Sequence, residues 1–145
     1  MHSRLIHEAQ GQRSFAVILE EGDEAMAALR QFSRAHGISA AQVTAIGAFS
    51  SAKLAFWNVE TKSYLERAFD EQTEVISLLG DIAVDQDEQP VPHLHAVLGR
   101  RDFSTVGGHF LAGMVRPTLE VIVTESPAHL RKVMDPEVGL ALIKL

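Results

Sequence analysis

The chain has 145 residues and a formal charge of −6, with 46% hydrophobic and 22% charged residues, the balance of one folded domain. It contains no cysteine, which excludes disulfide staples, thiol catalysis, iron–sulfur clusters and cysteine-ligated zinc. Its acidity argues against direct contact with nucleic acid, whose footprint is a basic face.

Residues 1–13 are polar and lack the apolar run of a signal peptide, so they are expected to form an N-terminal segment ahead of a single domain over 14–145. No run elsewhere is long and uncharged enough to span a bilayer, and the expected location is the cytoplasm. Ser14 to Leu19 is apolar and partly β-branched, which predicts a strand. Glu20-Glu21-Gly22-Asp23 then supplies acids and an Asp cap at the start of a helix. That helix is expected over Asp23 to His36, with Ala25, Leu29 and Phe32 on one face and Gly37 as a left-handed stop. His36 reads as a C-terminal residue favoured by the helix dipole.

Beyond Gly37 the period changes. Val43 to Phe49, Lys53 to Val59, Ser63 to Phe69 and Thr73 to Leu79 read as strands. Ser50-Ser51, Glu60-Thr61-Lys62 and Asp70-Glu71-Gln72 read as the turns between them. Val84 to Pro92, acidic and with two prolines, predicts a loop. Further strands are expected at His93 to Leu98, around Phe110, and at Thr118 to Glu125. Connections this short favour antiparallel neighbours. The fold class is therefore α+β, an antiparallel or mixed sheet with one main helix packed on it.

Several chemistries lack their residues. There is no Gly-x-Ser-x-Gly elbow, no phosphate-cradling glycine loop and no dinucleotide fingerprint. Phe56, Trp57 and Tyr64 do not interleave with basic residues as a stacking platform for single strands would. Arg100-Arg101 reads as a turn with a solvated basic edge.

Histidine is the remaining ligand, with seven in the chain. His93 and His95 stand at i and i+2 of an expected strand, so both imidazoles would emerge on one face. That spacing lets two nitrogens reach one divalent ion at about 2.0–2.1 Å. Gly107-Gly108 precedes His109, and a glycine pair lets backbone pass close to another strand and return His109 toward the first two. Three imidazoles leave a coordination position for water or substrate. The alternative is that strand histidines merely hydrogen-bond neighbouring backbone. His2, His7 and His129 read as solvated. Glu74 is a general base, a fourth ligand or simply a half-exposed strand residue. Arg116 either grips a substrate carboxylate or pairs with an acid across an interface.

The landmarks Leu19-Glu20-Glu21-Gly22-Asp23, Thr44-Ala45-Ile46-Gly47-Ala48-Phe49, Glu74 through Asp81, Pro92-His93-Leu94-His95, Gly107-Gly108-His109 and Leu119 through Val123 occur in order. Together they make the chain from about Ser14 to Leu145 resemble the PPC (plants and prokaryotes conserved) domain of the free-standing prokaryotic type. The resemblance implies a compact α+β domain that assembles as a homotrimer. It also carries a DNA-binding label from plant proteins that join the domain to an AT-hook. This sequence has no Arg-Gly-Arg-Pro-like core of that kind. In those plant proteins the domain serves assembly and partner binding, through a segment that corresponds to Glu71 through Ile76 here. More distantly, the fold is similar to acetolactate decarboxylase and to a zinc-dependent ester hydrolase, which hold zinc with a His-x-His pair and a later histidine. Carried over residue by residue, that implies His93, His95 and His109. Two functions follow as expectations. One is a homotrimer holding a divalent metal, zinc, that acts on a small carbonyl or ester compound. The other is a non-catalytic assembly or regulatory module that binds proteins, or DNA through a partner.

Overall fold

Long strands with alternating burial, rather than short strands joined by turns, build this chain. The structure, a computed structural model, describes residues 1–144. In chain order the elements are β1 (His2–Ala9), β2 (Gln12–Glu20), α1 (Ala25–His36), β3 (Ala40–Asn58), β4 (Ser63–Phe69), β5 (Thr73–Val84), β6 (Pro90–Gly99), β7 (Thr105–Glu125), β8 (Arg131–Asp135) and β9 (Leu140–Lys144). The molecule is mainly β-sheet with one short helix. All the strand pairs are antiparallel except β5 with β8. β3 pairs with β5 and β7, and β6 also pairs with both, so these four strands close a circuit. No helix among the described residues is long and apolar enough to cross a membrane.

The inner face of the sheet carries Val17, Val43, Leu78, Leu94, Leu119 and Val121, each fully buried. Leu29 and Phe32 of α1 pack into the same core. Burying each such side chain contributes roughly 1.5–3 kcal/mol. Gly37 ends the helix in the left-handed region, with its N–H to Arg34 O and the Ile38 N–H to Ser33 O, as its sequence position predicts. At the other end the cap is Glu24, not Asp23. The Asp23 carboxylate accepts instead from Glu20 N and pairs with the Met1 ammonium.

Glu24 accepts from Met26 N at 3.2 Å and Ala27 N at 2.8 Å. Its longer side chain also accepts from Gly113 N at 3.0 Å, which ties the helix start to β7. Glu24→Ala therefore orphans donors on two elements. We expect it to lower unfolding free energy by about 2 kcal/mol in urea titration, with Glu24→Gln milder. A loss below about 0.5 kcal/mol would show that the cap is dispensable.

Three expected boundaries are corrected. Ser50-Ser51 is no turn, because β3 runs unbroken through it. The strand changes neighbours there, pairing with β5 through Phe49 and with β4 from Ala52. Its register shifts on β7 between Gly47 and Phe49, Phe49 and Ser51, and Lys53 and Leu54 supply the bend. Gly47 has φ 152°, and a Cβ there would lie 2.3 Å from Thr118 O. The expected strands around Phe110 and at Thr118–Glu125 are likewise one strand, β7. Pro117 falls where the β3 register skips, a position that needs no ladder hydrogen bond. Pro90 to Pro92 belong to β6 rather than to the preceding loop, paired with β5 and beyond the reach of β7. The segment 1–13 forms β1 and the start of β2, and residues after Ser126 add β8 and β9, which the sequence reading did not anticipate.

Candidate metal centre

β6 alternates strictly, with Leu94 and Ala96 buried inside and His93 and His95 on the outer face. His95 stands opposite Leu79 of β5 on one side and opposite His109 of β7 on the other. Close strand approach makes this possible. A Cβ on Gly108 would lie 2.7 Å from Ala55 O, so only glycine lets β7 pass β3 here. One nitrogen from each of His93, His95 and His109 lies within 4.8 Å of the others. The ring centroids are 5.0–5.3 Å apart, a near-equilateral triangle.

The surroundings favour the neutral form of His95 and His109. Burial pushes His109 down to about 4, and His93, His95 and Lys132 reinforce the shift. His95 is lowered by burial and by His93. Both therefore offer lone pairs at neutral pH. His109 Nδ1 is buried and has no hydrogen-bond partner. Tyr64 of β4 stacks on the His109 ring with centroids 5.1 Å apart, and Trp57 of β3 meets Tyr64 edge-on at 4.8 Å. Burial raises the Tyr64 phenol above its ordinary value.

Asp81 of β5 lies opposite His93, its Oδ2 3.6 Å from His93 Nδ1. Lys132 of β8 reaches the other carboxylate oxygen at 2.8 Å and is only 6% exposed. Burial works to raise Asp81, but its contacts with His93 and Lys132 outweigh that and hold it below the usual carboxylate range. Sequence reasoning missed Asp81 and Lys132 as parts of the site. An acid inside the apolar run Ile76 to Ala83 was the available signal for the first. A lysine alternating with outward Arg131 was the signal for the second.

The donor set fits a divalent cation. Around a tetrahedral ion with nitrogen bonds of about 2.0–2.1 Å, ligand nitrogens sit about 3.4 Å apart. The three nitrogens lie within 4.8 Å of one another, so the rings must turn inward to close on an ion at that distance. The orphaned His109 nitrogen is available to such an ion, and three imidazoles suit zinc and its neighbours in the transition series. Neither of the other sequence candidates joins the triad. Glu74 is exposed opposite Gly99, five residues along β5 from Leu79. Arg116 lies seven residues along β7 from His109 and pairs with Glu21 at 3.3 Å, near the start of α1.

The Plants and Prokaryotes Conserved (PCC) domain family profile matches residues 6–127. The metal-containing protein of Archaeoglobus fulgidus is 31% identical, with 91% of this chain and 93% of that one covered and a TM-score of 0.85. A Bacteroides thetaiotaomicron protein named a "putative DNA binding protein" is 28% identical, at 95% and 94% coverage and TM-score 0.85. The plant- and prokaryote-conserved protein of Pyrococcus horikoshii is 27% identical, at 92% and 92% coverage and the same score. No curated protein matches the sequence.

Proposed function

Since the chain belongs to the Plants and Prokaryotes Conserved domain family, we propose that it is a homotrimer whose His93, His95 and His109 hold one divalent metal, zinc, per subunit for chemistry on a small carbonyl or ester compound. The observation that carries the reading is the convergence of three imidazole nitrogens on one outer face of the sheet. Among the described residues the group contains no fourth protein donor, so a coordination position stays free for a small molecule. A divalent cation there supplies Lewis acidity toward a carbonyl or ester oxygen, or toward water. The chain's own part is to fix the imidazoles, keep His95 and His109 neutral, and wall one side with Tyr64. The likeness to acetolactate decarboxylase and zinc-dependent ester hydrolases belongs to this proposal and rests on the same three histidines. The family label alone does not supply a reaction.

The homotrimer rests on the outer face itself. Ile46, Ile76 and Leu79 are 60%, 54% and 53% exposed there, and Ile18 and Ile122 adjoin them. A helix covers the inner face only, and a contiguous apolar patch of this kind marks an association surface. Leu79 stands opposite His95, so the histidines would lie at the margin of that surface, near a subunit boundary.

A second reading is a non-catalytic assembly or regulatory module, favoured by the name of the Bacteroides relative. Against direct DNA contact stand 19 acids to 13 Lys and Arg, and Arg100 is engaged by Glu71 at 2.7 Å. Native mass spectrometry of the purified protein decides between them. The expected spectrum shows three chains and the mass of about one metal per chain. A metal-free protein indifferent to added zinc overturns the metal reading. Duplex binding at low salt with a steep salt slope would instead favour the second.

A further inference from the structure

Deepening the proposed metal site, we infer that Asp81, braced by the buried Lys132, is a positioning residue that holds His93 as its Nδ1–H tautomer and turns Nε2 toward His95 and His109. Which imidazole nitrogen carries the proton is set by the hydrogen bond that the other makes. His93 Nδ1 lies 3.6 Å from Asp81 Oδ2, a gap that a small rotation of either side chain reduces to a hydrogen bond. No other protein acceptor or donor engages the His93 ring among the described residues, and its ring centroid lies 5.3 and 5.0 Å from those of His95 and His109.

The placement of Lys132 explains why Asp81 acts on His93 rather than joining the histidines. Lys132 Nζ is 2.8 Å from Asp81 Oδ1 and lies on β8, whose bridge to β5 at Val84 and Arg131 sets it beside that strand. Two contacts from opposite sides, one per oxygen, fix the carboxylate. A lysine this buried needs a counter-charge, and Asp81 is the acid that meets it. The C-terminal strands thus reach the histidines through one carboxylate. Hydrogen-bonded carboxylates behind ligating histidines fix ring orientation and raise ligand basicity.

The test reads tautomer and affinity separately. Long-range ¹H–¹⁵N spectra of the metal-free protein at neutral pH should show His93 in the Nδ1–H form. Asp81→Asn should weaken that preference, and zinc affinity measured against a competing chelator should fall about 10–100-fold. Because Asp81→Asn strands the Lys132 charge, the double variant with Lys132→Met serves as the folded control and should show the same losses. An Nε2–H wild-type His93, or a tautomer and affinity within twofold of wild type in both variants, overturns the inference. A tautomer that shifts as expected in a protein with no zinc affinity supports the positioning role and overturns the metal reading, so the two fail distinguishably.

Discussion

If His93, His95 and His109 hold a metal as proposed, His109→Ala, His95→Ala and His93→Ala are each expected to purify without it, with affinity reduced by more than about 100-fold. Loss of an outer hydrogen-bonding partner alone costs about 10–100-fold, and these changes remove a donor to the ion itself. The effect should be largest at His109, the most desolvated ring of the three and the one whose Nδ1 has no protein partner. Metal analysis after dialysis gives the first readout. Thermal or urea unfolding gives the second, because a ligand at about 1,000 times its dissociation constant adds about 4 kcal/mol of stability. Zinc should stabilise the wild type by an amount of that order and leave the variants unmoved. His129→Ala is the matched control, since that ring is exposed and engages only Ser39 at 2.6 Å. Equal metal content in His129→Ala and the triad variants would rule out the proposed centre.

The convergence of the three histidines was legible in the sequence, for a local reason. The period of a strand puts residues two apart on one face, so His93 and His95 are paired by geometry that no tertiary detail alters. Gly107-Gly108 before His109 likewise announced a close strand approach, and Gly108 lies where a Cβ would strike Ala55 O. Asp81 and Lys132 were hidden because they meet the histidines only through register. Asp81 faces His93 across β5 and β6, and a one-residue slip would turn it to the other face. The Trp57–Tyr64 pair was closer to readable, since both flank a turn already recognised between β3 and β4.

The strand ends were misread where one residue type carries two meanings. Ser50-Ser51 has turn composition, yet it marks the point at which β3 exchanges β5 for β4 along one edge. The sequence suggested two strands, around Phe110 and at Thr118–Glu125, where β7 is continuous. Gly113 is small because Phe49 and Phe110 stack beside it, with ring atoms 2.8–2.9 Å from any added Cβ. Its glycine serves packing, not chain reversal. Glu24 took the cap from Asp23 for a tertiary reason too, since only the longer acid also reaches Gly113 N.

If the chain is the homotrimer proposed, Ile46→Lys is expected to convert it to monomer while leaving the monomer's fold and stability nearly unchanged. The two effects have opposite signs, which makes the substitution diagnostic. Within one chain Ile46 is 60% exposed and lies opposite Glu120 across β3 and β7, so a lysine there gains an acidic cross-strand neighbour worth about 0.2–1 kcal/mol. In a trimer formed through this face, three ammonium groups would enter apolar surface lined by Ile18, Ile76 and Ile122, at several kcal/mol per copy. Light scattering across a dilution series should show a dissociation constant raised by orders of magnitude, and urea unfolding of the two proteins, compared at concentrations where both are monomeric, should differ by less than about 0.5 kcal/mol. An unshifted oligomer would place assembly on another surface. The monomeric form also separates assembly from metal binding, since Leu79 sits on the patch directly opposite His95. If the free coordination position opens toward a subunit boundary, monomerisation should leave zinc bound by the same three histidines but expose it to faster chelator exchange.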